Sequence, residues 1–382
     1  MIYFDNSATT ALCPEAQEGV LRAIKCFANP SSLHDFGLEA QNIREEARAN
    51  ILSALGARKD AYTVVFTSGG TEANNLAIRG CAKAKKYKNP KIITTDSEHP
   101  CVINPSAELE ADGFRVVRIA TKNGELDMEQ LEREADPDTV LVSLMLVNNE
   151  TGALYDTKKA FSIAKKKNPS VITHTDAVQG FMKVPFSPKS IGADMVTLSS
   201  HKIHGPKGSG ALVVANSLLS SHRIAPIILG GGQEGDLRSG TENMIGISGF
   251  GAAAKAMAER FDSDFAKMND LREYLIANMP TDITVNSPAA HAPHIISATL
   301  PSIRSETMLH FLSSKDICVS SGSACSSHDH AHGPYVLLSY GLDRKRADST
   351  IRISLCAENS REEADALIAA LNEGLSTLIR SK

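Results

Sequence analysis

The chain has 382 residues, 42% of them hydrophobic and 22% charged, which excludes a disordered or fibrous protein and allows two or three domains at about 150 residues each. Its formal net charge of -4, from 40 basic and 44 acidic residues spread along the chain, provides no field that would favour nucleic acid. Seven cysteines with no C-x-x-C pair argue against a disulfide framework or a structural zinc site, and reduced thiols imply a cytoplasmic protein.

The opening MIYFDNSATT lacks the apolar stretch of a secretion signal, and no run approaches the roughly 20 apolar residues of a membrane helix, so no membrane association is expected. From about residue 40 to 250, β-branched runs alternate with helical patterns: YTVVFT (62–67), KIITT (91–95), FRVVRI (114–119), TVLVSLMLV (139–147), SVITHTD (170–176), DMVTLSS (194–200) and GALVVA (210–215). That alternation predicts an α/β fold with a mainly parallel sheet covered by helices. After the first run, TSGGTEANNLAIRG sets glycines and a threonine ahead of apolar Leu76 and Ile78, the signature of a helix N-terminus. The basic cluster Lys83 to Lys88 reads as a solvated helix end before a turn at Asn89 and Pro90.

Glycine density rises at ILGGGQEGDLRSGTEN (228–243), and a long helical stretch follows from Ile247 to about Met279. A junction near 255 divides the chain into a large domain, 16–255, and a small α+β domain, 1–15 plus 256–382. The latter predicts strands near 294–300, 316–320 and 350–355, a flexible segment at 321–334, and a C-terminal helix from Ser360 whose SREE forms a capping box. Cys318, in DICV, reads as buried core.

Three segments carry candidate chemistry. The turn TSGGTE (67–72) offers backbone N–H groups and the hydroxyls of Ser68 and Thr71 to a phosphate, although the same residues also spell an ordinary turn before a helix. Asp176 ends a strand, with Gln179 three residues on, and a helix N-cap would explain it equally well. SSHKIHGPKGSG (199–210) places Ser199, His201 and Lys202 on one loop, where a lone lysine is ordinarily solvated. Their order is more informative than any one of them: the phosphate turn, His99 in SEHP, Asn149 in VNNE, Asp176 and Lys202 each follow a strand. If those strands are parallel neighbours, five polar groups converge on one crevice, and an acid, a lysine and a phosphate cradle are what pyridoxal phosphate requires.

These segments resemble the class V aminotransferase family and, within it, the cysteine desulfurases. The resemblance runs through DNSATT (5–10), NPSSLHDFG (29–37), FTSGGTE, SEHP, VNNETG, HTDAVQG, SSHKIHGPKG, GGGQEGDLRSGTEN, SSGSACSS and TIRISL (350–355), nearly the whole chain. It implies the pyridoxal-phosphate transferase fold of type I, with a seven-stranded sheet. Lys202 would carry the cofactor as a Schiff base and act as general base, Asp176 would pair with the pyridinium nitrogen, and His99 would stack on the ring and shuttle a thiol proton. Gln179 would bond the phenolic oxygen, Gly70, Thr71, Ser199, Ser200 and His201 would line the phosphate, and Asn149 would sit near the cofactor and the substrate carboxylate. Arg352 would clamp that carboxylate with its planar guanidinium. Thr241 would reach the phosphate of a neighbouring subunit, implying a homodimer.

Composition makes Cys325, in VSSGSACSS, an exposed thiol on a polar loop; the resemblance makes it the residue that takes sulfur from L-cysteine. L-Alanine and a persulfide would result, the latter for an acceptor protein such as an iron–sulfur scaffold. The following SSHDHAHGP is longer than the family's usual loop, and its alternating His328, His330 and His332 suit a metal, a lowered Cys325 pKa, or, as the favoured reading, a solvated polar loop. A selenocysteine lyase or transaminase of the same fold, and a sulfur-carrying scaffold without catalysis, are the competing readings.

Overall fold

A strand covered on both faces needs apolar side chains at successive positions, because neighbours along it point to opposite sides. The seven runs meet that need. In the computed structural model, which describes residues 1–84, 88–321 and 334–378, they form Tyr62–Thr67, Lys91–Thr95, Arg115–Ile119, Thr139–Met145, Ile172–Asp176, Met195–Ser199 and Gly210–Ala215. Val64, Ile93, Val142, Leu144, Val196 and Val213 join one buried cluster, while their chain neighbours Val65, Ile92, Leu141, Met195, Leu212 and Val214 join another on the opposite face. The seven strands make one sheet, in the order Tyr62–Thr67, Gly210–Ala215, Met195–Ser199, Ile172–Asp176, Thr139–Met145, Lys91–Thr95, Arg115–Ile119. Gly210–Ala215 runs antiparallel to both neighbours, and every other pair is parallel. The predicted runs overshoot some of these strands by one or two residues.

In the central strand ITHTD the histidine is satisfied sideways. His174 bridges Ser143 Oγ (2.8 Å) and Thr197 Oγ1 (3.0 Å) on the two flanking strands, and burial drives its pKa down to about 3, so it is a neutral cross-tie.

The helix Met244–Asn278 starts at an Asn243 cap, whose side chain accepts from Gly246 N at 3.1 Å, and runs unbroken past position 255. Ile247, Phe250, Ala253, Ala254, Ala256 and Met257 belong to the first cluster, and Leu271 and Leu275 to a separate one with Phe4, Ile296, Ala298, Ile351, Ile353, Leu367 and Leu371. Gly251 allows this helix to lie against Asp35–Ala54: a Cβ there would stand 2.5 Å from Ala47 Cα.

The separate cluster backs a four-stranded antiparallel sheet ordered Ser320–Ser321, Thr350–Ser354, Ile295–Thr299, Thr284–Asn286. The strand expected over 316–320 is divided between two sheets. Ile317–Cys318 pairs in parallel with Ile2–Tyr3, whereas Ser320–Ser321 pairs with Ile351 and Arg352. Cys318 is accordingly half-buried on a two-stranded ribbon, not in the core as expected. Among the described residues no helix is long and apolar enough to cross a membrane.

The capping box expected at the C-terminal helix is present: Ser360 Oγ accepts from Glu363 N (3.3 Å), and Glu363 Oε2 accepts from Ser360 N (3.2 Å). Ser360→Ala is expected to cost about 1 kcal/mol of stability, measured as a lower urea midpoint with an unchanged slope.

Candidate active site

Open parallel sheets bind ligands beyond the carboxyl ends of their strands. Here one cavity of about 290 Å³ lies at that edge. Asp176 and Ser199 are the last residues of adjacent strands, and His99 and Asn149 each follow their strands by a few residues. All four line the cavity, as do Gly70, Thr71, Gln179, His201, Lys202 and Arg352. The convergence expected from strand order is therefore present.

Asp176 is nearly buried, and two donors hold its carboxylate: Asn74 Nδ2 to Oδ2 (2.7 Å) and Val178 N to Oδ1 (2.9 Å). Lys202 closes a short helical turn, Ser200–Lys202, and its Nζ donates to the carbonyls of Ser7 (2.6 Å) and Ala8 (2.8 Å). Gln179 Nε2 donates to the same Ser7 carbonyl at 3.0 Å, so the chain's first residues wall the cavity. His201 bonds Thr9 Oγ1 at 3.2 Å; burial, reinforced by Lys202 and Lys207, pushes its pKa down to about 4, leaving a neutral hydrogen-bonding ring.

Gly70 and Thr71 open the helix Gly70–Lys83, where first-turn N–H groups have no intrahelical acceptor. A neighbouring cavity shares Gly70, Thr71, Ser199 and His201 and adds Ser68 and Lys207. Donors and a cation thus gather at one end.

Arg352 lies within Thr350–Ser354 and is 3% exposed. Its Nη1 donates to the Asn149 carbonyl (2.9 Å) and its Nη2 to Asp5 Oδ1 (3.0 Å). Its buried Nε makes no hydrogen bond. The guanidinium is thereby fixed in plane, with donor capacity left for a carboxylate.

Of the described residues expected in this chain's own cavity, only Ser200 is not placed there. The Ser200 hydroxyl is buried without a partner and is not part of the lining, and Thr241 is exposed elsewhere. Cys325, with His328, His330 and His332, lies outside the described residues.

The family model Aminotransferase class-V matches residues 2–367. The chain belongs to the class V aminotransferases. A protein of Lactobacillus delbrueckii subsp. bulgaricus described as a NifS/IcsS protein homolog is 39% identical across 98% of this chain and 97% of its own. The cysteine desulfurase IscS of Dictyoglomus turgidum is 35% identical across 99% of this chain and 95% of its own. A solved structure named as a NifS-like protein superposes with a TM-score of 0.91 at 35% identity, covering 99% of this chain and all 100% of that one.

Class V aminotransferases depend on pyridoxal phosphate, and the cavity suits that group. Asn149 Oδ1 is buried there without a partner. Gly70 leaves open a cradle that a side chain would fill, since a Cβ on it would stand 2.8 Å from Val178 Cγ2. A lysine amine, a fixed carboxylate and a helix N-terminus complete the groups that this cofactor calls for.

Sequence reasoning missed Asn74, Cys101, Glu98 and the carbonyls of Ser7 and Ala8. Glu98 Oε1 accepts from Thr95 Oγ1 (2.8 Å) and Met145 N (2.9 Å), tying two strand ends just before His99. Burial pushes its pKa up to about 8, so at neutral pH it is largely a neutral acid. A signal for Cys101 existed: SEHP reads as a capping His99 followed by proline at the first helical position, which turns the backbone N–H of residue 101 toward the imidazole.

Proposed function

We propose that this chain is a cysteine desulfurase that uses pyridoxal phosphate to convert L-cysteine to L-alanine, leaving a persulfide on Cys325. One observation carries the reading: Lys202, Asp176, His99 and Arg352 share one cavity in a chain 35% identical to a cysteine desulfurase over 99% of its length.

Bound pyridoxal phosphate supplies the electron sink that makes the Cα proton of an amino acid removable. The chain's own groups would divide the remaining work. The N–H groups of Gly70 and Thr71, with the Ser199 hydroxyl, would bind the phosphate. Asp176, held by Asn74 and Val178, would balance a protonated ring nitrogen. Lys202 Nζ would hold the cofactor and then carry the Cα proton as general base. Arg352 would grip the substrate carboxylate and orient the sulfur away from the clamp. The Cys325 thiolate would attack that sulfur. The substrate's C–S bond is reduced to C–H while the enzyme thiol is oxidised to a persulfide, so atoms and electrons balance without an external oxidant.

Arg352→Lys keeps the charge but loses the planar fork. It is expected to raise KM for L-cysteine about 10- to 100-fold with a smaller change in kcat, measured by alanine formation. An unchanged KM would remove Arg352 from the carboxylate site.

We propose that the working unit is a homodimer. The exposure of large apolar side chains at Phe27 (83%), Leu33 (92%) and Leu229 (80%), together with a Thr241 that faces solvent away from its own cavity, supports that reading. An iron–sulfur scaffold protein is the proposed sulfur acceptor, on the resemblance of the motif blocks to that type of desulfurase. The function is tested by incubating the purified protein with L-cysteine and a reductant: equimolar alanine and sulfide are expected, and alanine without sulfide, or neither product, would overturn the reading.

A further inference from the structure

A histidine that caps a helix offers one ring nitrogen as an acceptor and must keep its proton on the other. His99 caps Pro100–Ala111, and because Pro100 has no N–H, the first backbone donor available belongs to Cys101. That N–H donates to His99 Nδ1 at 3.2 Å, and Cys101 Sγ lies 2.9 Å from the same nitrogen. The thiol lines the cavity and is not part of the mechanism above.

The direction of the thiol's hydrogen bond follows from its other neighbour. Asn74 Nδ2 has two hydrogens, one for Asp176 Oδ2 at 2.7 Å and one for Cys101 Sγ at 3.0 Å. The amide cannot be turned over, because Asn74 Oδ1 would then face a carboxylate. Sulfur therefore accepts from Asn74, and its single proton is directed to the nearby Nδ1 lone pair. With two donors aimed at Nδ1, the imidazole proton sits on Nε2.

We propose that Cys101 is a positioning residue: its thiol donates to His99 Nδ1 and holds the ring as the neutral Nε2–H tautomer, tied through Asn74 to the Asp176 carboxylate. The surrounding charges agree with this arrangement. Burial raises the Cys101 pKa, and Asp176 and Glu98 add to the rise, so the thiol keeps its proton. Burial lowers the His99 pKa, Lys202 lowers it further, and Asp176 opposes them. Protonating Nδ1 would break both bonds it accepts, so exchange of a proton with substrate is confined to the Nε2 side of the ring.

The inference rests on His99 being a working residue of the proposed desulfurase, but its test needs no turnover, so the two readings fail separately. The full-length protein as purified, carrying isotope-labelled histidine and no substrate, would be followed by long-range proton–nitrogen correlation over a pH series, with His99 assigned through His99→Gln. The wild type is expected to show the Nε2–H tautomer. Cys101→Ala removes a donor that favours the neutral ring, so the His99 midpoint is expected to rise by about one pH unit, the equivalent of one ordinary hydrogen bond. Cys101→Ser supplies a hydroxyl donor in the same place and is expected to restore the wild-type midpoint. An Nδ1–H tautomer in the wild type, or Ala and Ser variants that titrate alike, would overturn the proposal. If Cys101→Ala fails to fold, the wild-type tautomer and the serine variant still decide it.

Discussion

Replacing Lys202 with alanine is expected to abolish the yellow colour that Schiff-base-bound pyridoxal phosphate would give the purified protein and to lower alanine formation from L-cysteine by about 10³-fold or more. Among the described residues Lys202 is the one lysine lining the cavity; the nearby Lys207 lines only the neighbouring one. Two functions would be lost together: the covalent hold on the cofactor and the base that removes the Cα proton, the latter alone being typically worth about 10²- to 10⁴-fold. The variant should fold, because the side chain donates to two backbone carbonyls of the N-terminal segment, which water can satisfy in its place. Turnover within tenfold of the wild type, measured as alanine released, would mean that catalysis does not pass through Lys202.

Cys325→Ala should behave differently. The colour should persist, since none of the groups proposed to hold the cofactor is touched, while sulfide formation from L-cysteine should fall by about 10³-fold or more, because no thiolate is left to accept the sulfur. This pair of readouts separates the two halves of the reaction: Lys202→Ala loses colour and products, Cys325→Ala loses products alone. A Cys325→Ala protein as active as wild type would make that thiol a bystander and favour a lyase or transaminase of the same fold.

The site was legible where a chemical group sits at the end of an apolar run. Asp176, Ser199 and Asn149 follow strands that periodicity locates within a residue or two, and parallel pairing then brings their ends together. What stayed hidden depends on contacts between segments far apart in sequence. Asn74 looks like any polar residue in a helix until the helix is laid across the sheet, where it is fully buried and meets Asp176. Ser7 and Ala8 act through backbone carbonyls, which leave no trace in residue type. The division of 316–320 between two sheets has the same origin: its residues are equally suited to either partner, and only the approach of Ile2–Tyr3 decides. His174 illustrates the reverse, a polar residue in a core strand whose neutrality becomes intelligible only beside Ser143 and Thr197.

The N-terminal wall of the cavity also makes the site depend on contacts between residues far apart in sequence. Asn6 Nδ2 bonds the Ser354 carbonyl across a separation of 348 residues, Ser7 N bonds Ser354 Oγ, and Asp5 bonds Arg352. The segments around Asp5–Ser7 and Arg352–Ser354 must therefore meet before this wall is complete. Until then Arg352 lacks the Asp5 carboxylate that holds its Nη2. Contacts of such long sequence separation are expected to form late in folding, so the pocket is expected to be finished after the central sheet.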